Sequence, residues 1–420
     1  MYRRPIPDAV AAALASGVAG RYNAVVSAQF VASLVTIVLV IHLLLLSCSY
    51  LILLERKICA WIQDRIGPNR TNLSFGVLPT KSHMWGLGQP LADGLKLMLK
   101  EEYTPLGVDR FLFLLAPVAV MIPAMLSWAV VPWGGYLQWG SDTLAITAAP
   151  INVGVIYILA VGSLAVYGVV LGGYASNSKY SFFGGLRATA QMLSYEIPMG
   201  LAVLIVLLMT GSATAHVLVH DQANGVWHLF TQPLAAIIFF ICVLAECNRA
   251  PFDLAEAEQE LVGGYHTEYS SMKWALFFLG EYMHMIAGSA FFCILFLGGW
   301  DLPFVHEPIT GSIGLVLLKF TAFLLKIFLL LSLMMVVRWT LPRFRFDQLM
   351  RLAWRVLIPI TLLLLLMTAM VIFVGAGPWW ALAGNAMVAA IVLLIGPLLP
   401  TGPAVNRRVP LAGSRFMPPA

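Results

Sequence analysis

Acidic side chains are concentrated in one stretch of this otherwise apolar chain. Six lie between positions 246 and 269 and a seventh follows one helical run later: Glu246, Asp253, Glu256, Glu258, Glu260, Glu268 and Glu281. Glu256 and Glu260 are four residues apart, so a helix would place them on one face, where they repel each other. Crowded carboxylates raise one another's pKa and can then exchange protons near neutral pH. The spacing suits a proton entry site, and it suits a solvated acidic face equally well.

Part of this stretch also has a purely structural explanation. A proline and a phenylalanine precede Asp253, and Glu256 follows three residues later, which is the pattern of a helix start capped by Asp253. Acidic residues in a first turn also interact favourably with the helix dipole. Capping does not explain Glu246, Glu258 or Glu260.

Two glutamates and two lysines fall inside long apolar runs. An ionisable group at membrane depth is costly and indicates function by default, commonly a proton relay. Glu196 and Glu281 fit such a relay; the alternative is a carboxylate near the membrane edge that pairs with an arginine or lysine. We expect Lys326, near the middle of its run, to pair with one of the glutamates and extend the proton path. Lys319, nearer the outer end, is expected to snorkel to the surface.

The spacing of possible ligands does not support metal binding or thiol chemistry. Glu281-x-x-His284 resembles half of a carboxylate-metal motif, but helical bundles build such sites from two copies and further carboxylates. The five cysteines form no C-x-x-C pair. We therefore expect no metal in this chain.

Composition places the chain among polytopic membrane proteins. Hydrophobic residues make up 60% of the 420 positions and charged residues only 11%. Crossing a bilayer takes about twenty apolar residues, and about nine such runs occur, at 30–54, 111–131, 151–173, 188–210, 233–247, 274–299, 313–337, 355–375 and 379–399. The prediction is an all-α polytopic membrane protein with about nine transmembrane helices. No nucleic-acid signature is present.

Lysine and arginine predict the orientation. Of the 25 basic residues, 20 lie in the connections at 55–110, 174–187, 248–273 and 338–355 and in the tail after 400. The opposite connections, at 132–150, 211–232, 300–312 and 376–378, contain none. The positive-inside rule makes the first set cytoplasmic and places the amino terminus outside.

The first basic connection contains two amphipathic segments. Isoleucines and Trp61 recur at helical spacing over 58–66, which predicts a helix lying in the interface after a span that ends at Glu55-Arg56-Lys57. A second segment, 90–102, presents leucines on one face and carries Asp93 and Lys96. These residues could anchor the protein to anionic lipids. They could also frame the mouth of an apolar tunnel for a lipophilic ligand.

Four long motifs resemble the H subunit of respiratory complex I, the proton-pumping NADH:quinone oxidoreductase. The resemblance extends from about Phe30 to Phe373. Its motifs are LLERKICAWIQDRIGPNR followed by QPLADGLKLMLKE, SNSKYSFFGGLRATAQMLSYE, ECNRAPFDLAEAEQELVGGYHTEYSSMKWALFFLGEY, and RWTLPRFRFDQLM.

The resemblance implies a subunit that is not active alone, in the inner membrane of a bacterium. Its cytoplasmic face would dock onto hydrophilic redox-arm subunits, which carry the quinone head-group site and the terminal iron-sulfur cluster, and it would adjoin other membrane subunits of complex I. Quinone would be the substrate, while flavin, iron-sulfur clusters and metals would belong to other chains. The family's quinone tunnel matches Arg56, Trp61, Asp93 and Lys96. Its acidic proton funnel matches Glu196, Glu246, Asp253, Glu256, Glu258, Glu260 and Glu281.

Departures from the family pattern lie outside the acidic residues. The segment 71–89 is longer than the family's short link and adjoins the expected tunnel mouth. We expect an amino-terminal extension over 1–28, a core of eight spans over 29–375, and an additional ninth span with a Pro-rich cytoplasmic tail over 376–420.

Two alternatives remain open. One is the equivalent subunit of a membrane-bound hydrogenase-like complex or of an oxidoreductase that uses another donor. The other is a standalone ion channel or carrier, which predicts ion flux through this chain alone. The absence of a visible internal repeat argues against a carrier.

Overall fold

Helices account for most of the chain in the computed structural model, which describes residues 19–71, 85–139, 142–255, 262–302 and 310–395. The helices are α1 Ala19–Ile62, α2 Gln89–Leu99, α3 Arg110–Leu126, α4 Gly154–Ser163, α5 Ala165–Ala175, α6 Lys179–Thr210, α7 Ala215–Asn224, α8 His228–Thr231, α9 Pro233–Glu246, α10 Ser271–Phe296, α11 Ile313–Thr340, α12 Phe346–Arg351, α13 Ile358–Phe373 and α14 Pro378–Ile395. A π-helical turn, Leu352–Leu357, joins α12 to α13. The strands are β1 Tyr136–Trp139, β2 Asp142–Ala145 and β3 Thr310–Gly311.

Seven helical segments of the described residues are long and apolar enough to cross a membrane: Ala28–Ile62, Arg110–Val130, Gly154–Ala175, Lys179–Thr210, Ser271–Phe296, Ile313–Thr340 and Phe346–Phe373. The prediction of an all-α polytopic membrane protein is confirmed. The predicted count of nine is not confirmed, because the runs at 233–247 and 379–399 contain the shorter helices α9 and α14. At 1.5 Å per residue, α9 extends only about 21 Å.

The first span does not end at Glu55-Arg56-Lys57, as the sequence predicts. α1 continues to Ile62, so the expected separate amphipathic helix is the last part of α1. A helix can carry charged residues out of the bilayer and keep its backbone hydrogen bonds. No glycine or proline occurs in this part of α1 to end the helix. The chain turns only afterwards, where Arg65 N donates to Ala60 O at 2.7 Å. α1 also begins at Ala19, which places the expected boundary at residue 28 inside a helix.

α10 lies at the centre of the bundle, where it packs against α1, α3, α9 and α11. In its most apolar part 72% of the residues are buried, against 28% in α1 or α11. We call the side that contains the end of α1, the start of α10 and the end of α11 the basic side. The other side, which contains the end of α10 and the start of α11, is called the opposite side.

A small sheet lies on the opposite side. Its strand order is β2-β1-β3. β1 and β2 pair antiparallel with Tyr136 opposite Ala145, while β1 and β3 pair in parallel with Tyr136 opposite Thr310. The sheet therefore ties the connection before α4 to the connection before α11.

Buried amides attach α14 to the rest of the bundle. Asn385 Nδ2 donates to Gln232 Oε1 at 2.6 Å, and Gln232 Nε2 donates to Thr368 Oγ1 at 3.1 Å. All three side chains are buried. Because hydrocarbon offers no hydrogen-bond partners, this contact specifies where α14 packs against α13 and the start of α9.

Candidate functional site

An apolar groove of about 470 Å³ lies between α1 and α11. α10 closes its floor with Ile286, and the walls are aliphatic and aromatic side chains with few polar atoms. Along α1 the groove extends from Leu43 to Trp61, which corresponds to about 27 Å of helix. A long apolar groove of this kind fits an extended lipophilic chain.

Polar groups surround the end of the groove on the basic side. Lys57 lines the groove and donates from Nζ to Ile66 O at 3.3 Å. Trp61 also lines it; its predicted part in binding stays a prediction. Arg56 points away and pairs with Asp93 of α2 at 2.7 Å. Lys96 is exposed on α2 and is not among the residues that line the groove.

Glu55, at the predicted end of the first span, is buried close to the groove. It is 7% exposed. Its carboxylate pairs with Arg338 at the end of α11 and accepts a hydrogen bond from the Tyr282 hydroxyl on α10. Buried carboxylates need such partners because transfer from water is costly. Glu55 therefore fixes the ends of α1 and α11 against α10.

Arg249 connects Glu55 with the acidic stretch. One guanidinium nitrogen lies 3.7 Å from Glu55 Oε2 and another lies 3.4 Å from Glu281 Oε2. The guanidinium also lies over the Tyr282 ring, 4.4 Å from its centroid. Arg249 is only 3% exposed, so little solvent screens these contacts. Together Arg338, Glu55, Arg249 and Glu281 form a series of alternating charges, which we call the ionic chain; all but the partly exposed Arg338 are buried.

The ionic chain ends at a small cavity of about 20 Å³. Glu246, Glu281 and His284 line this cavity together with Asn248 and Tyr265. The structure thus brings two of the predicted proton-path carboxylates to one chamber, although they are far apart in sequence. Tyr265 OH donates to Glu281 Oε1 at 3.2 Å. No group of three metal-binding side chains occurs in the described ranges.

Glu196 lies next to this chamber on α6. Ser163, at the break between α4 and α5, is its hydrogen-bonding neighbour. Glu196 is also close enough to Glu246 for the two carboxylates to repel each other. A Cβ at Gly162 would lie 3.4 Å from Glu246 Oε1, so a glycine here leaves room beside that carboxylate. Three predicted carboxylates are therefore neighbours: Glu196, Glu246 and Glu281.

The other acidic residues of the stretch have different outcomes. Asp253 is buried and pairs with Arg343, which follows α11. Glu256, Glu258 and Glu260 lie outside the described residues, and so does the helix that Asp253 is expected to cap. Their predicted places in the proton path stay predictions.

Both lysines of α11 differ from expectation. Lys326 does not pair with Glu281; its Nζ donates to the carbonyls of Leu297, Gly299 and Asp301 at 2.7, 3.0 and 2.6 Å. Leu297 is sixteen residues beyond Glu281, which is about 24 Å along α10. Lys319 does not snorkel: it is 1% exposed and lies over Trp300, 4.4 Å from the ring centroid. An aromatic face attracts an ammonium, so Trp300 helps to stabilise the buried charge of Lys319. A proton-path role for Lys326 stays a prediction.

Two histidines are buried outside the spans, on the opposite side. His216 and His228 are 6% and 4% exposed. Burial lowers the pKa of each imidazole to about 4, because the charged form would lose its hydration. Both are therefore neutral at physiological pH. His216 packs against Tyr136, with ring centroids 5.0 Å apart.

Sequence reasoning missed several residues of the site. Arg249, Arg338 and Tyr282 occur within the quoted motifs, but nothing in their spacing indicates which carboxylate each one meets. Trp85 lines the groove without having been predicted to do so. A comparison of opposite charges could have found Arg249, because it is the one arginine or lysine between Glu246 and Tyr269.

The sequence profile of the family described as NADH dehydrogenase matches residues 35–369. Similar known proteins include the NADH-quinone oxidoreductase H subunit 1 of Geobacter sulfurreducens, 47% identical over 81% of this chain and 95% of the relative. The protein of the same name from Cytophaga hutchinsonii is 46% identical over 75% of this chain and 89% of the relative. The NADH-quinone oxidoreductase H subunit of Protochlamydia amoebophila is 47% identical over 77% of this chain and 92% of the relative.

Proposed function

Because the chain belongs to the NADH dehydrogenase family, whose members include the H subunits of NADH-quinone oxidoreductases, we propose that it binds quinone and couples quinone reduction to proton translocation. The observation that carries the proposal is the continuity of the site. An apolar groove adjoins Glu55, and the ionic chain leads from Glu55 to the carboxylate chamber.

The groove suits the isoprenoid tail of a quinone. Its walls are apolar over about 27 Å of α1, and its basic end carries Lys57 and Trp61. Burial of a hydrocarbon tail in such a groove is favourable in proportion to its apolar area. The head group would leave the groove at the basic side, toward redox-arm subunits that supply the electrons. We place that side in the cytoplasm, as the basic connections predict.

The ionic chain suits the coupling of charge at the groove to protons in the chamber. Reduction of a quinone to a quinol takes up two electrons and two protons, so it draws positive charge toward the head group. Arg249 contacts Glu55 and Glu281 at once, and a stronger contact with one carboxylate weakens its contact with the other. A carboxylate that loses its cation binds a proton more tightly. Glu281, Glu246 and Glu196 would then pass protons along the chamber.

This chain's contribution is binding, orientation and proton movement. The flavin and the iron-sulfur clusters of the reaction would belong to partner subunits, as would the site where electrons reach the head group. Other membrane subunits would carry the protons onward. The chain therefore acts as part of a translocase and not as an enzyme by itself.

Two serines of α1 give a matched test of the groove. Ser47 lines the groove, whereas Ser49 donates to Leu45 O of its own helix and does not line it. The two positions point roughly 200° apart around α1. In the purified complex, Ser47→Trp should fill part of the groove and raise the quinone KM about tenfold or more. Ser49→Trp should leave the quinone KM unchanged.

Equal quinone kinetics in both tryptophan variants would refute the groove as the quinone path. The channel alternative has its own readout. Ion flux through liposomes that contain this chain alone, without NADH or quinone, would favour a channel over the proposed subunit.

A further inference from the structure

Trp85 is a second indole at the basic end of the groove. Together with Trp61 and Leu87 it lines the groove mouth. Trp85 is 72% exposed in the isolated chain, so burial in this chain does not explain a large apolar side chain at this position. It immediately follows the part of the long 71–89 segment that lies outside the described residues. Trp85 and Leu87, at the end of this segment, therefore contribute to a wall of the groove.

The backbone holds this indole in an unfavourable conformation. Trp85 has a φ of 52° and Gly86 a φ of 81°. A bulky residue in the left-handed region is an outlier, and such outliers persist only where the surroundings fix them. Here the surroundings leave little freedom, because a Cβ at Gly86 would lie 2.5 Å from Pro68 O.

A series of hydrogen bonds fixes the same turn to α1. Gln89 N donates to Gly86 O at 2.9 Å, and Gln89 Nε2 donates to Asp93 Oδ1 at 3.0 Å. Asp93 in turn pairs with Arg56 at 2.7 Å. On the other side, Thr71 Oγ1 donates to Gln89 Oε1 at 2.9 Å. The position of Trp85 relative to Trp61 is therefore determined by α1 itself.

We propose that Trp85 is a specificity-determining residue that selects for the hydrophobic tail of the quinone at the mouth of the groove. This inference rests on the proposed function. With its head group beyond the mouth, a long-tailed quinone leaves its first isoprene units between the two indoles. A quinone without a tail can pass the mouth, but it has no isoprene units to contact the indoles. Trp85 thus raises affinity for tailed quinones only.

The test compares two quinones in the purified complex, one with a long isoprenoid tail and one with none. Trp85→Asn removes the indole, and asparagine tolerates a positive φ, so the turn keeps its conformation. It should raise the KM for the tailed quinone about tenfold, because the tail no longer packs against an indole, and leave the KM for the tail-less quinone unchanged. Trp85→Phe, which keeps a ring, should stay within about twofold of the parent for both. Trp139→Asn, at an exposed tryptophan of β1 on the opposite side, is the matched control.

Equal KM changes for both quinones, or no change for either, would overturn the role of Trp85. Ser47→Trp, measured beside these variants, separates this failure from failure of the proposed function. If Ser47→Trp raises the KM for the tailed quinone and Trp85→Asn does not, only the inference about Trp85 is wrong. If neither variant affects any quinone, the groove itself is not the quinone path.

Discussion

Glu55 and Glu281 share one cation: the guanidinium of Arg249 lies 3.7 Å from the first carboxylate and 3.4 Å from the second. Glu55 belongs to the wall beside the groove and Glu281 to the carboxylate chamber. A change of charge that draws Arg249 toward one carboxylate weakens its attraction to the other. The effect is strong because all three groups are buried and poorly screened by solvent.

We predict that Arg249→Gln uncouples quinone reduction from pumping. The variant leaves two buried carboxylates without their common cation, and breaking a buried pair typically costs about 3–5 kcal/mol. We expect the electrostatic connection between Glu55 and Glu281 to be lost and proton translocation per NADH to fall several-fold. Arg351→Gln, which removes an exposed pair with Asp347, serves as the control. Unchanged pumping in assembled Arg249→Gln complex would contradict the coupling role.

Glu281→Gln is predicted to lower turnover while the complex still assembles. Glutamine keeps the side-chain volume and the hydrogen bond from Tyr265, but it cannot hold the transferable proton. Quinone reduction coupled to pumping should fall about 10-fold or more. The measurement is NADH-driven proton uptake in proteoliposomes, normalised to complex content. Normal turnover in that complex would remove Glu281 from the proton path.

Arg56→Ala should raise the quinone KM with little effect on stability. The pair with Asp93 is partly exposed, with Arg56 47% and Asp93 26% accessible, and exposed pairs contribute under about 1 kcal/mol. The larger effect comes from α2, since loss of Arg56 frees Asp93 and loosens the turn that holds Trp85. Asp93→Asn should reproduce the KM change, and the double variant should add little to it. Strict additivity of the two KM effects would show that the residues act separately.

Acid should destabilise the opposite side of the chain through His216 and His228. Their pKa is about 4 in the folded protein, against about 6.5 when unfolded. Above pH 6.5 neither state binds the proton, so these residues add no pH dependence. As the pH falls from 6.5 to 4, only the unfolded state gains protons, and each histidine removes up to about 1.4 kcal/mol of unfolding free energy per pH unit.

Thermal unfolding of the detergent-solubilised chain between pH 7.5 and 5 measures this loss. His216→Phe keeps a ring against Tyr136 and should flatten the decline. The control is His220→Phe on the same helix, where the native ring contacts Asn224. A decline of equal slope in both variants would assign the acid sensitivity elsewhere.

Hydropathy and residue type were sufficient to predict the membrane class and most of the spans. They also predicted Glu196 and Glu281 as carboxylates at membrane depth, because a charge in an apolar run is conspicuous in one dimension. They failed where partners are distant in sequence. Arg338 and Glu55 are 283 positions apart, and no periodicity links them. Residue type and hydropathy also failed for Lys326, which donates to backbone carbonyls. Every residue has a carbonyl, so no sequence pattern marks these partners.

The ionic chain also has a consequence for biogenesis. Its charges come from α1, the connection after α9, α10 and α11, and ribosomes deliver these segments in that order. Until α11 is synthesised, Glu55 has no Arg338 to pair with, so its buried carboxylate cannot yet make this contact. The ionic chain can therefore be completed only when α11 packs against α1 and α10.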